Sequence, residues 1–63
     1  MKLPEELVSI LELVSLGLSN KEIGVKLSHS PSTVKRRIKE LFKLYKVDNR
    51  IKLAQEYLME RLT

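Results

Sequence analysis

Apolar residues along this chain recur three and four positions apart, and nowhere do they alternate with polar ones for long. That spacing marks helices that bury one side; strand signals are missing. Leu3, Leu7, Ile10, Leu11 and Val14 share one side of a first helix expected from about Pro4 to Leu16. Pro4 suits the first turn, where its missing N–H costs nothing, and Glu5 and Glu6 suit the positive helix end. Gly17 is expected just past the last turn, in the left-handed conformation that stops a helix.

The stretch "SNKE", Ser19 to Glu22, reads as a capping box that opens a short second helix. Ile23 and Leu27 face inward on it. Gly24 lies in its interior, where glycine costs about 1 kcal/mol relative to alanine. Another helix crossing closely at that point would account for it. The stretch "SHSPS" then turns the chain, with Ser30 as N-cap and Pro31 as the first residue of a third helix reaching about Lys46. "KVDNR" breaks the pattern again, and Asp48 or Asn49 caps a fourth helix from about Arg50 to Leu62. Four helices with short turns, the second short and the third long, predict an all-α helix-turn-helix domain over residues 1–63. A chain of 63 residues has room for one small core, so a partner subunit or ligand would help it.

Charge sharpens the picture. The chain carries a net +4, but residues 21–52 hold ten basic and three acidic side chains, while the remainder holds two and five. On a wheel of the third helix with Val34 at zero, the apolar side chains Val34, Ile38, Leu41, Phe42, Leu44 and Tyr45 fill a sector from roughly −80° to +80°. Lys35, Arg36, Lys39, Lys43 and Lys46 fill another, from roughly 100° to 200°. No acid interrupts that stripe. A helix shaped only for solubility intersperses Glu to relieve such repulsion; this one accepts the crowding, which duplex phosphates would neutralise. Arg37 lies apart, on the flank of the apolar sector, with either a phosphate or an acid of the first helix within reach.

The fourth helix presents a different pattern. Its apolar residues spread over roughly 240° of the wheel, about twice what one core-facing stripe needs. Dimerisation through the surplus is expected, with Leu53, Tyr57 and Met59 as the outward anchors. Chemistry is sparse elsewhere. With no cysteine and one histidine, the chain offers no disulfide, no metal site and no acid–base constellation, so neither an enzyme nor a cofactor is expected. No apolar run approaches a membrane span and no cleavable leader is recognisable, which reads as a cytoplasmic protein.

The segment "GLSNKEIGVKLSHSPSTVKRRI", followed by "KVDNRIKLAQEYL", resembles the DNA-binding domain of LuxR/GerE-type regulators, also the output domain of NarL/FixJ-type response regulators. The likeness runs from Leu3 to Leu62. It implies a four-helix domain that binds duplex DNA as a homodimer through the fourth helix, with the third, recognition helix in the major groove. Carried over by position, Lys35, Arg36 and Lys39 would reach base edges, where Arg or Lys suits guanine N7 and O6. Asn20, Lys21, Ser32, Thr33 and Lys43 would lie near phosphates; Arg37 and Lys46 are added to that set by their charge. Four departures stand out: Arg37 at the family's His, His29 at its apolar turn residue, Gly24 at its usual Ala, and "LPEELVSIL" where the pattern reads roughly L-T-x-R-E-x-E-V-L.

Two other readings compete. "TVKRRI" is similar to a stretch of sigma-factor region 4, which would make the chain a promoter-binding module working with RNA polymerase. A helical protein–protein adaptor would use the apolar fourth helix but leave the basic stripe unexplained.

Overall fold

The structure, a computed structural model, describes residues 2–62. Its elements are four helices: α1 (Glu5–Ser15), α2 (Asn20–Leu27), α3 (Pro31–Tyr45) and α4 (Arg50–Leu62). Local chemistry sets nearly every boundary. Pro4 precedes α1 in extended conformation (ψ 147°), and its carbonyl accepts from the Leu7 and Val8 amides. At the other end Gly17 (φ 88°) closes α1 as expected. The Gly17 amide donates to the Val14 carbonyl at 3.0 Å and the Leu18 amide to that of Leu13 at 3.2 Å, a complete Schellman motif.

The capping box at α2 is present in both directions. The Glu22 amide donates to Ser19 Oγ at 3.1 Å, and the Ser19 amide donates to Glu22 Oε1 at 2.8 Å. Those bonds hold the Glu22 carboxyl below its ordinary range, the backbone N–H of Ser19 first and its side chain second. Ser30 caps α3 by accepting from the Thr33 amide at 3.2 Å. Asn49, rather than Asp48, caps α4: its Oδ1 accepts from the Lys52 amide at 2.8 Å.

Gly24 meets the need its position implied, though the close neighbour is a turn and not a helix. It is buried, and a Cβ there would come within 2.4 Å of the His29 carbonyl oxygen. The His29 amide donates to the Gly24 carbonyl at 2.8 Å, so the turn folds directly back onto this residue. Ser28 carries the reversal at φ 59°, in the left-handed region. An alanine at position 24 would require the turn to open.

Ten side chains form the core: Leu7, Ile10, Leu11 and Val14 from α1, Ile23 from α2, Val34, Ile38 and Leu41 from α3, Leu53 and Tyr57 from α4. Helices α1 and α3 each pack against the other three, whereas α2 and α4 do not pack on each other. On α3, Val34, Ile38 and Leu41 are buried, Phe42 and Tyr45 partly so, and Leu44 at the edge of the apolar sector is 43% exposed.

The expectation for α4 needs correction. Leu53 is 0% and Tyr57 6% exposed, both inside the core, so neither is an outward anchor. The outward residues are Ile51, Leu58, Met59 and Leu62, at 72%, 47%, 64% and 86% exposure. Of the three anchors expected, only Met59 faces away from the core. The reason is geometrical: where apolar residues occupy most of a wheel, their spacing gives two candidate inner faces, and contact with α1 and α3 selects one.

Tyr45 joins the ends of α3 and α4, its hydroxyl donating to Glu60 Oε1 at 3.3 Å. Burial, and after it the Glu60 charge, raises its pKa from an ordinary 10.0 to about 12. Because the folded value lies above the unfolded one, the stability linked to this group is complete below pH 10 and declines as pH rises through about 12. An ultraviolet tyrosinate titration of the folded protein should therefore show a late component from Tyr45 that is missing in Tyr45→Phe. A titration unchanged by Tyr45→Phe in its late part would contradict the packing at this helix end.

Candidate nucleic-acid interface

Lys35, Arg36, Lys39, Lys43 and Lys46 are all exposed, and among the described residues none of them forms an ion pair. Lys35, Lys39 and Lys43 stand four residues apart on one helix face, a spacing at which like charges cost about 0.2–0.5 kcal/mol per pair. The first turn of α3 carries no acid of its own to compensate the positive end of its dipole. Ser32, Lys35, Arg36 and Lys39 line one shallow depression on this surface. All three residues expected at base edges thus share a single concavity with Ser32.

Lys46, at the end of the stripe, follows α3 in the left-handed conformation at φ 55°, and its amide donates to the Lys43 carbonyl at 3.3 Å. Thr33 is partly buried, and its Oγ1 lies 3.0 Å from Ser30 Oγ, so its hydroxyl already has a partner.

Arg37 makes the intramolecular contacts that were one of its two alternatives. Its Nε donates to Glu6 Oε1 at 3.2 Å and its Nη1 to Glu40 Oε1 at 3.0 Å. These carboxylates, Glu40 first and Glu6 second, raise its pKa further above its ordinary value. Glu6 Oε1 also lies 3.5 Å from His29 Nε2. One α1 carboxylate therefore gathers the turn and α3. Arg37 and His29, two departures from the family pattern, meet at Glu6, which stands where that pattern has Arg.

Asn20 and Lys21 open α2. As its first two helical residues, their backbone N–H groups have no intrahelical acceptor. Lys21 is exposed, while Asn20 is half-buried because Arg50 reaches it from the start of α4. Sequence reasoning missed that contact and treated Arg50 only as a helix start; nothing local signals a bond between positions 30 apart. Among the described residues no group of three or more His, Cys, Asp or Glu side chains is placed to hold a metal ion, and no helix is long and apolar enough to cross a membrane.

Residues 5–57 match the family described as bacterial regulatory proteins, luxR family. The HTH-type transcriptional regulator AlkS of Alcanivorax borkumensis is 41% identical over 49 residues. That match covers 78% of this chain but only 6% of AlkS, so the similarity extends to a small part of that protein. No solved structure matches the chain. The matched span takes in α1, α2, α3 and α4 as far as Tyr57, and with it the capped corner and the basic stripe: the chain belongs to the luxR family of bacterial regulatory proteins.

Proposed function

We propose that this chain is a sequence-specific duplex-DNA-binding module of a transcription regulator, acting as a homodimer with α3 in the major groove. The observation that carries the reading is the exposed row of Lys35, Arg36, Lys39, Lys43 and Lys46, unpaired among the described residues, on the second helix of a capped corner. Charges left without partners in the protein are the ones a phosphate backbone would neutralise, with release of counterions. Lys35, Arg36 and Lys39, early on α3, read base edges. Lys43, Lys46, Asn20, Lys21 and Ser32 contact phosphates, and Thr33 serves mainly to seal the cap.

Self-association uses the outward stripe of α4, where Ile51, Leu58 and Leu62 follow one another at spacings of seven and four residues, with Met59 beside them. Such a row of exposed apolar side chains on so short a chain is an interaction surface before it is anything else. Two copies would address two half-sites about one helical turn apart.

Titration with a random-sequence duplex at two salt concentrations, beside sedimentation of the free chain, tests this reading. Affinity should fall steeply with salt, at a logarithmic slope of about 0.9 for each phosphate contacted. Absence of binding at low salt would leave the stripe as a solvated surface and move the function to α4. The residue roles separate in a second comparison. Lys39→Ala should relax base preference at one operator position, with about 1–3 kcal/mol of discrimination lost. Lys43→Ala should weaken random and selected duplexes alike and lower the salt slope by about 1. Identical behaviour of the two variants on both duplexes would refute this division of labour.

A further inference from the structure

Arg50 makes the two short polar contacts that tie the start of α4 to the start of α2. Its Nη1 donates to Asn20 Oδ1 at 2.5 Å and its Nη2 to the Leu18 carbonyl at 2.6 Å. The backbones of α2 and α4 do not approach each other closely, so this guanidinium supplies the polar link between their starts. Both bonds are charge-assisted, and the fork of the guanidinium fixes their relative direction.

The chemistry of the fork has a consequence for Asn20. A guanidinium has donors and no acceptor, so it can hold an amide side chain only by its carbonyl oxygen. That choice sets the rotation of the Asn20 amide and turns its NH2 group away from Arg50. The amide nitrogen has no hydrogen-bond acceptor among the described residues. Beside it lie the two backbone N–H groups at the start of α2, also without intrahelical acceptors. Asn20 is in this way presented as a donor and not as an acceptor, which is the sense an anionic phosphate oxygen requires.

We propose that Arg50 is a positioning residue for phosphate binding: it orients the Asn20 amide so that its NH2 faces outward, and fixes the start of α2 relative to α4. The inference rests on the proposed role of Asn20 at the DNA backbone. It also joins the two functional surfaces. Arg50 is followed directly by Ile51 on the exposed stripe, so the grip on each half-site is set with reference to the helix that would hold the two copies together.

The test compares the intact chain with Arg50→Lys, Asn20→Ala, the double variant and Asn20→Asp. Each is titrated with a labelled random-sequence duplex at two salt concentrations, and its urea unfolding is measured separately. Lysine keeps the charge but offers one nitrogen instead of a fork. Arg50→Lys and Asn20→Ala should each weaken binding about tenfold, roughly the worth of one charge-assisted hydrogen bond. The double variant should be no weaker than Asn20→Ala alone, and Arg50→Lys should leave the salt slope unchanged. Asn20→Asp keeps an acceptor for Arg50, and so the fold, but lacks the NH2 donor; it should lose at least as much affinity as Asn20→Ala. Wild-type affinity in Arg50→Lys or Asn20→Asp, or losses that multiply in the double variant, would overturn the inference while leaving DNA binding standing. If the intact chain shows no salt-sensitive binding, the DNA reading falls and the inference with it.

Discussion

Leu53→Ala is expected to lower the unfolding free energy by about 3.5 kcal/mol, the middle of the range for a leucine truncated in a packed core. Leu53 is fully buried at the centre of the α4 contact with the core, so the vacated volume has no route to solvent. Domains have on the order of 0.05–0.15 kcal/mol of stability per residue. For a chain this short, one such cavity removes a large share of the total, and urea unfolding should show a broad population of unfolded chain before denaturant is added. Leu58→Asp is the matched control. Leu58 is 47% exposed on the other side of the same helix, so the monomer should keep its stability and lose self-association in sedimentation. The reverse pattern, with Leu53→Ala folding normally but dissociating, would mean that α4 faces the core with its other side.

Reversing two charges on α3, Lys39→Glu together with Lys43→Glu, is expected to reduce affinity for any duplex by about 100-fold or more and to lower the salt slope by at least about one. Stability should change little. Glutamate forms helix about as well as lysine. At spacings of three and four residues the reversed charges would attract Lys35, Arg36 and Lys46 by about a few tenths of a kcal/mol per pair, offset by repulsion between the two new carboxylates, by repulsion from Glu40 and by an acid in the last turn of α3. A variant that folds about as well and yet loses DNA would show that the crowded cations are kept for a partner and not for the fold. Unchanged affinity would remove α3 from the interface. Arg37→Met offers the contrast: Glu6 and Glu40 already engage that guanidinium, so the salt slope should stay where it is while the tie between α1 and α3 is lost.

The helix boundaries were legible because each is set by residues close in sequence. Ser19 and Glu22, Ser30 and Thr33, Asn49 and Lys52 are all three apart, and Gly17 needs only its own freedom at positive φ. The basic stripe was legible for a related reason: a helix whose apolar and charged residues occupy separate sectors has only one way to bury itself. Gly24 lies between these cases. Its cost in a helix signalled a close neighbour, but that the neighbour is the His29 carbonyl follows only from the path of the turn.

Elsewhere the chain left alternatives that short-range chemistry could not separate. Arg37 had a phosphate or an acid within reach, and the acid that it meets is Glu6, 31 positions away. Arg50 gave no hint of Asn20 and Leu18 as its partners. On α4 the apolar residues served either face, and the positions of α1 and α3 made Leu53 and Tyr57 core while leaving Ile51, Leu58, Met59 and Leu62 outside. Caps, periods and charge stripes depend on residues within about one helical turn of each other, so the sequence by itself determined the four helices and the cationic face. Partners drawn from different helices depend on how those helices pack, and only the tertiary structure decided which α4 face is buried and where Arg37 and Arg50 are held.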